Sequence, residues 1–296
     1  MAKATQKEEL RSADFRAMAR EALKGKWKKG FFFFLLSNLL FSGLGLHLVQ
    51  EHFFTDDAVP SPVMEAFGLV PNDQQTVGFG WVILAVLLVW SLVNGFLHAG
   101  MYRTCLHALD GGELRLKDLL PTKLFGRAAL MGGMRTILLT IPELLAGLCL
   151  ILFTVVNTNL SLLNLLSTLL KLTVGLLAAF LGAGLKMADY LMAKDEPIGP
   201  VAALKASWRK MRGWKWRYFC LGISFIGWLL LAVLPGNLFG RWVPIGNAFL
   251  KDLLVWLINL AASSGLMLYM TAATAAFFRH VETMEMQEQA KSAVGE

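Results

Sequence analysis

Long apolar stretches dominate the hydrophobic pattern of the chain, and they alternate with segments rich in charge. A helix needs about 20 predominantly apolar residues to cross the hydrocarbon of a bilayer. Six stretches approach or exceed this length, and they are Phe31–Val49, Phe79–Gly100, Thr136–Val156, Leu162–Met187, Tyr218–Leu234 and Ala248–Phe278. A soluble fold would have to bury all of these helices on every side. The pattern therefore predicts an all-α, polytopic transmembrane bundle with six spans.

Two segments outside these stretches have the pattern of basic amphipathic helices. In Asp14–Trp27, apolar side chains recur at helical spacing and the arginines stand largely elsewhere on the helix. Val201–Arg217 has a similar arrangement, and its apolar stripe consists of Val201, Leu204, Trp208 and Met211. Basic amphipathic helices lie in the membrane interface. We predict two in-plane helices on the cytoplasmic side. For the first of them, a solvated helix packed on another cytoplasmic loop is the alternative.

These elements divide the chain into three parts. Residues 1–30 are predicted to form a cytoplasmic amphipathic helix, residues 31–278 the transmembrane domain, and residues 279–296 a cytoplasmic tail. The last apolar stretch is longer than the hydrocarbon requires, so we expect this helix to tilt or to continue beyond the membrane.

Composition and charge agree with a membrane protein. The 296 residues are 56% hydrophobic and 17% charged, whereas a soluble domain has about 45–50% apolar and about 25% charged residues. Nine Lys or Arg residues precede the first stretch, six lie between the second and third, eight lie in Lys186–Arg217, and none lies in Gln50–Gly78. Since cytoplasmic loops carry the excess of Lys and Arg, both termini are predicted to be cytoplasmic.

A cationic and aromatic cluster stands directly before the fifth apolar stretch. Tryptophan favours the headgroup region, and each cation near an anionic surface contributes about 1 kcal/mol to binding. Nucleic-acid binding would need the same rings free for base stacking, although they are tethered beside hydrocarbon. We predict that anionic membrane lipids, and other membrane proteins, are the partners, and that nucleic acid is not. The predicted lipid-surface residues are Trp27, Arg212, Trp214, Lys215, Trp216 and Arg217.

The two segments that enter apolar stretches from these basic surfaces resemble each other. "LKGKWKKGF" at Leu23–Phe31 and "MRGWKWRYF" at Met211–Phe219 both place a cation, a glycine, and mixed tryptophan and cations before a phenylalanine. Glycine tolerates the left-handed conformation that ends many helices. Gly213 is therefore predicted to end the helix before it in that conformation.

No enzyme motif is present in the sequence: it has no nucleophile triad, phosphate-binding loop, dinucleotide fingerprint or HExxH. We therefore expect neither an enzyme nor a cofactor. The three cysteines are far apart and lack metal-ligand spacing, and the histidines of the first two spans lie at opposite depths, so no metal site is predicted.

Polar groups inside the apolar stretches are the candidates for function, because burying them in lipid is costly. Glu143 and Lys171 fall at depths about one helical turn apart in an antiparallel hairpin, so we predict that they pair. A proton- or substrate-coupled site is one interpretation of these residues. A structural pair that sets helix register, or a Lys171 that snorkels outward, is the alternative. Pro142 should bend its helix. Arg135 is expected to lie too close to the cytoplasmic end to be buried.

Asn94 and His98 add a second polar position on the second apolar stretch. They are four residues apart and share one face of the predicted helix,. Hydrogen bonds between helices, each worth about 0.6–2 kcal/mol, account for such residues in a bundle. The predicted intramembrane polar site thus comprises Glu143, Lys171, Pro142, Asn94 and His98.

Residues 187–231 contain a Tyr at a helix end (Tyr190), an Ala and a Ser four positions apart (Ala203, Ser207), "MRG" at Met211–Gly213, and "ISFIGW" at Ile223–Trp228. This segment resembles the bacterial membrane family catalogued as domain of unknown function 975. "AREALKGKW" at Ala19–Trp27 and "GGELRLKDLL" at Gly111–Leu120 resemble further parts of that family, whereas Pro142-Glu143 departs from it. The resemblance implies a polytopic protein of the bacterial cytoplasmic membrane and supplies no reaction.

The sequence thus favours a non-enzymatic integral membrane protein of the bacterial cytoplasmic membrane that organises or assists lipids or envelope proteins. The alternative function is a small secondary transporter with an intramembrane polar site at Glu143 and Lys171.

Overall fold

The computed structural model describes residues 10–42, 76–120, 122–156, 160–194, 198–243 and 248–294. Every regular element in these ranges is helical, so the predicted all-α class is confirmed. The helices are α1 (Ser12–Ala22), α2 (Trp27–Ser42), α3 (Thr76–Leu109), α4 (Leu116–Leu119), α5 (Phe125–Val156), α6 (Leu160–Leu185), α7 (Met187–Ala193), α8 (Pro200–Lys210), α9 (Lys215–Ile223), α10 (Ile226–Trp242) and α11 (Ala248–Val294). A short 3-10 turn at Thr122–Leu124 precedes α5.

Within the described residues, three stretches of helix are long and apolar enough to cross a membrane, and they are Thr168–Ala193, Lys215–Trp242 and Leu253–Ala293. They overlap the fourth, fifth and sixth predicted spans. Large apolar side chains on them face outwards, for example Leu176 at 69% and Leu230 at 66% exposure. A large contiguous apolar surface is unusual on a soluble monomer. The full set of six crossings stays a prediction, and most of the Gln50–Gly78 connection lies outside the described residues.

Helix α11 is a long helix against which several other helices pack. It has 47 residues, which corresponds to about 70 Å of helix, more than twice the hydrocarbon thickness of about 30 Å. It packs against α1, α2, α3 and α10. Residues 279–294, which were expected to form a tail, continue the same helix. The last helix therefore continues past its apolar part, and whether it tilts or leaves the hydrocarbon stays a prediction.

Ionic contacts hold this extension of α11 against neighbouring segments. The carboxylate of Glu282 accepts hydrogen bonds from the Tyr190 hydroxyl at 3.0 Å and from the Lys194 ammonium at 2.9 Å. Glu285 pairs with Lys210 at the end of α8. The extension therefore ties α7 and α8 to the rest of the bundle.

Each of the two amphipathic helices buries part of its apolar face within the protein. On α1, Phe15 and Ala19 are buried, and the Phe15 ring lies 5.2 Å from that of Phe277 on α11. In the predicted apolar stripe of α8, Leu204 and Met211 are buried, whereas Val201 and Trp208 are 49% and 40% exposed. The packing of α1 agrees with the alternative left open for that helix, and α8 keeps part of its apolar stripe exposed.

Left-handed glycines end both surface helices in the same way. Gly25 follows α1 with a φ of 75° and Gly213 follows α8 with a φ of 85°. The prediction for Gly213 is confirmed. An apolar helix starts within two residues of each glycine, at Trp27 and Lys215. The two similar sequence segments therefore share one local structure.

Candidate functional site

Asp189 is a fully buried carboxylate at the junction of two helices. Helix α7 follows α6 after the single residue Lys186, and all seven of its residues are buried. The side chain of Asp189 has 0% exposure. Because a buried charge is costly unless it is paired and hydrogen-bonded, the surroundings of Asp189 must supply cations.

Two cations meet this carboxylate. The Arg135 guanidinium of α5 hydrogen-bonds to Oδ2 of Asp189, and the Lys186 Nζ lies 3.3 Å from the same oxygen. The other oxygen, Oδ1, is buried and has no hydrogen-bond partner among the described residues. Two cations and one carboxylate leave the cluster with one excess positive charge.

Arg135 was expected to lie too near the cytoplasmic end of its span to be buried in lipid, and the structure shows that it is largely covered by protein. Its side chain is only 13% exposed, because α3 and α7 pack against α5, the helix that carries it. Sequence reasoning overlooked Lys186 and Asp189 as well. One signal was available, since Asp189 is the only charged residue in the otherwise apolar "MADYLMA" of α7.

A cavity of about 550 Å³ lies beside this cluster. This volume is within the range of about 300–1,000 Å³ that is usual for small-molecule sites. Its walls come from α2, α3, α9, α10 and α11, together with Lys186 between α6 and α7. The polar side chains that line it are Asn38, His98, Tyr102, Lys186, Tyr218, Asn259, Ser263, Thr271 and Thr274.

The cationic end of the cavity is defined by Lys186 and two tyrosines. The Lys186 Nζ lies 5.9 Å from the centroid of the Tyr102 ring. The rings of Tyr102 and Tyr218 lie 6.1 Å and 5.6 Å from that of Phe278 on α11. Lys186, Tyr102 and Tyr218 therefore come together at one level of the bundle.

The opposite end of the cavity is polar but carries no charged lining residue in the described part of the chain. Asn38 donates from Nδ2 to the hydroxyls of Ser263 and Ser264, each at 3.1 Å, and so joins α2 to α11. Asn259 and Thr274, which both line the cavity, are fifteen positions apart on α11, or about 22 Å. The cavity is thus elongated, with its cation at one end.

The wall between the two ends is largely apolar. Leu229 and Val233 of α10 line it while remaining 45% and 54% exposed. The cavity therefore adjoins the outer apolar surface of the bundle. Met267 and Met270 line it from α11, and methionine side chains adapt readily to irregular apolar ligands.

The predicted polar residues fall in different places. His98 lines the cavity, and Oδ1 of Asn94, one turn earlier, is buried without a hydrogen-bond partner in the described part of the chain. Pro142 lies within α5. The side chains of Glu143 and Lys171 lie outside the described part of the structure, so their pairing stays a prediction. Within the described ranges, no group of three His, Cys, Asp or Glu side chains is placed to hold a metal ion.

The predicted lipid-surface cluster divides into exposed and packed residues. Trp27 is 40% and Trp216 71% exposed, and Arg212 is exposed as well. Trp214 instead packs on α11, with its ring 6.1 Å from Phe277 and 5.7 Å from His280. The exposed members of the predicted lipid-surface residues are therefore Trp27, Arg212 and Trp216.

The two remaining cations of that cluster lie over aromatic rings. The Lys215 Nζ is 3.2 Å from the centroid of the Trp208 ring, and the Arg217 guanidinium is 5.0 Å from that of Trp214. Contacts of this kind are attractive. They join the start of α9 to its neighbours.

The fold and the cavity define a class of protein: an all-helical chain with apolar helices compatible with a membrane, enclosing an elongated cavity with a cationic end. The chain belongs to the family described as "Protein of unknown function (DUF975)", whose model matches residues 10–285, nearly the whole chain. The resemblance seen in the sequence is thereby confirmed. No curated protein and no solved structure matches the chain.

Proposed function

We propose that the protein is a non-enzymatic integral membrane protein that holds a membrane lipid in this cavity and in this way organises lipids or assists neighbouring envelope proteins. The observation that carries the proposal is the elongated, largely apolar cavity beside the exposed wall of α10. A lipid chain would lie along that wall and reach the polar residues at either end. The flexible Met267 and Met270 suit chains of varied shape.

No contact among the described residues favours the transporter alternative. It depends on Glu143 and Lys171, whose side chains lie outside the described part of the structure. The described residues therefore favour the lipid-holding function.

The location that we propose is the bacterial cytoplasmic membrane, with six crossings and both termini in the cytoplasm. Trp216 and Trp242 stand near opposite ends of one candidate span and are 71% and 75% exposed. They are twenty-six positions apart, on α9 and α10, which corresponds to about 39 Å for two helices in line and approaches the thickness of about 40–45 Å that includes both headgroup regions. Tryptophan is enriched at both of these interfaces. Trp27 and Arg212 would then face cytoplasmic headgroups.

Labelling of single cysteines tests this orientation. Arg212→Cys should resist a membrane-impermeant maleimide in intact cells and react after permeabilisation, whereas Asp57→Cys in the cation-free connection should react in intact cells. The background protein provides the correction for reaction of Cys105, Cys149 and Cys220. Labelling of Arg212→Cys in intact cells would contradict a cytoplasmic position.

Filling the cavity tests the lipid-holding function. Ala232 lines the cavity from α10, so Ala232→Phe should expel the lipid. We expect the amount of lipid retained after purification in mild detergent to fall at least about tenfold, which corresponds to a loss of about 1.4 kcal/mol of binding free energy. Native mass spectrometry measures the retained lipid. Leu230→Phe is the matched control, because Leu230 faces outwards on the same helix at 66% exposure. Equal lipid retention by the two variants would refute the proposal.

A further inference from the structure

We propose that the ligand of this cavity is an amphiphile with a singly anionic headgroup, a phosphate diester or a carboxylate, and that Lys186 is the residue that binds the anion. This inference rests on the proposed lipid-holding function and deepens it. Arg135 and Asp189 act as positioning residues for Lys186. The hydroxyls of Tyr102 and Tyr218 supply further donors at the same end of the cavity.

The charge balance of the cluster supports an anionic ligand. Arg135 and Lys186 carry two positive charges, and Asp189 compensates one of them. No Asp or Glu is among the described residues that line the cavity. An excess charge in poorly hydrated surroundings is costly until a counter-charge arrives. A singly charged anion beside Lys186 would neutralise the cluster.

Lys186 is the member of the cluster that a ligand can reach. Its side chain is 28% exposed and lines the cavity, whereas those of Arg135 and Asp189 are 13% and 0% exposed and do not line it. An ammonium group has three donors on a flexible stem. Contact with Asp189 at 3.3 Å engages one of them and leaves the others for the cavity.

The contacts within the cluster give Arg135, Asp189 and Lys186 different roles. Oδ2 of Asp189 meets both cations, so the Arg135 guanidinium holds the carboxylate in the place where it faces Lys186. The carboxylate in turn favours the charged form of the lysine, since an opposite charge at short range stabilises an ion. Asp189 thus opposes the desolvation that burial imposes on the Lys186 ammonium at the end of the cavity.

The tyrosines identify the headgroup end. Tyr102 and Tyr218 line the cavity with Lys186, and a phenol hydroxyl donates a hydrogen bond readily to a phosphate or carboxylate oxygen. The apolar remainder, with Leu229 and Val233 open to the outer surface, suits the hydrocarbon part of the same molecule. The chemistry is shared by free phosphate, but the apolar wall favours an amphiphile.

A competition between lipids of matched acyl chains tests the inference. The full-length protein in mixed micelles is offered equal amounts of phosphatidylglycerol and phosphatidylethanolamine, and native mass spectrometry gives the ratio bound. The wild type should prefer the anionic lipid about tenfold, the size expected for one charge-assisted hydrogen bond. Lys186→Met should lose this preference while still binding lipid, and Tyr218→Phe should reduce it about threefold.

The matched control is Lys194→Met. Lys194 is 30% exposed and pairs with Glu282 away from the cavity, so its loss should leave the preference unchanged. Lys186→Met retains the Arg135–Asp189 pair, which is neutral, and should therefore fold. An unchanged preference in Lys186→Met would overturn the inference, as would a wild type that binds both lipids equally.

Two further measurements distinguish an amphiphile from free phosphate, and a failure of the anion site from a failure of the lipid-holding function. If inorganic phosphate or glycerol phosphate stabilises the protein against heat as strongly as phosphatidylglycerol does, the amphiphile is refuted. If Ala232→Phe expels lipid and Lys186→Met keeps the preference, the anion site fails and the lipid-holding function stands. If Ala232→Phe expels nothing, the lipid-holding function itself fails.

Discussion

Asp189→Asn is expected to destabilise the folded protein by about 3–5 kcal/mol, because it leaves Arg135 and Lys186 buried together without a carboxylate. Asparagine keeps the size of the side chain and removes its charge, so the loss reports electrostatics rather than packing. The free energy of unfolding can be measured by titrating the protein from mild detergent micelles with dodecyl sulfate.

Asp110→Asn is the control for this prediction. Asp110 also pairs with an arginine, Arg279, but the two side chains are 57% and 37% exposed. An exposed pair of this kind contributes about 0–1 kcal/mol. If both variants unfold at the same detergent fraction, burial does not make the Asp189 cluster important for the fold.

Gly95→Ala is the second large expected effect, with a loss of about 3 kcal/mol. A Cβ at Gly95 would lie 2.4 Å from the backbone oxygen of Ala128 and 2.6 Å from Cα of Gly132. Both atoms belong to the backbone of α5, so relief would require α3 and α5 to move apart. Small residues allow such close approach of helices in membrane bundles. The thermal midpoint in detergent, read by circular dichroism, measures the effect.

Gly126→Ala should have the opposite effect. Gly126 lies near the start of α5, and a Cβ there would have nothing within 4 Å. Alanine is favoured over glycine in helices by about 0.5–1 kcal/mol, so this variant should be neutral or slightly more stable. A thermal midpoint of Gly95→Ala as high as that of Gly126→Ala would show that α3 and α5 do not approach as described.

Some features of the site were visible in the sequence and others were not. His98 stood out as a polar residue in an apolar stretch, and it lines the cavity. Asp189 did not stand out, because it follows an apolar stretch closely and resembles a surface residue at a helix end. Its partner Arg135 lies fifty-four positions away. No periodicity within one segment predicts which distant residue will face it.

The sequence by itself determined the helical class, the family, the apolar helices that suit a membrane and the left-handed turn at Gly213. These properties depend on composition and on spacing within single segments, and hydrocarbon imposes them on each helix separately. Only the tertiary structure decided that Arg135 packs against Asp189, that Trp214 packs on α11 and that Lys186 lies at one end of a cavity. Each of these depends on how helices are rotated and shifted against one another, and packing between distant segments determines that arrangement.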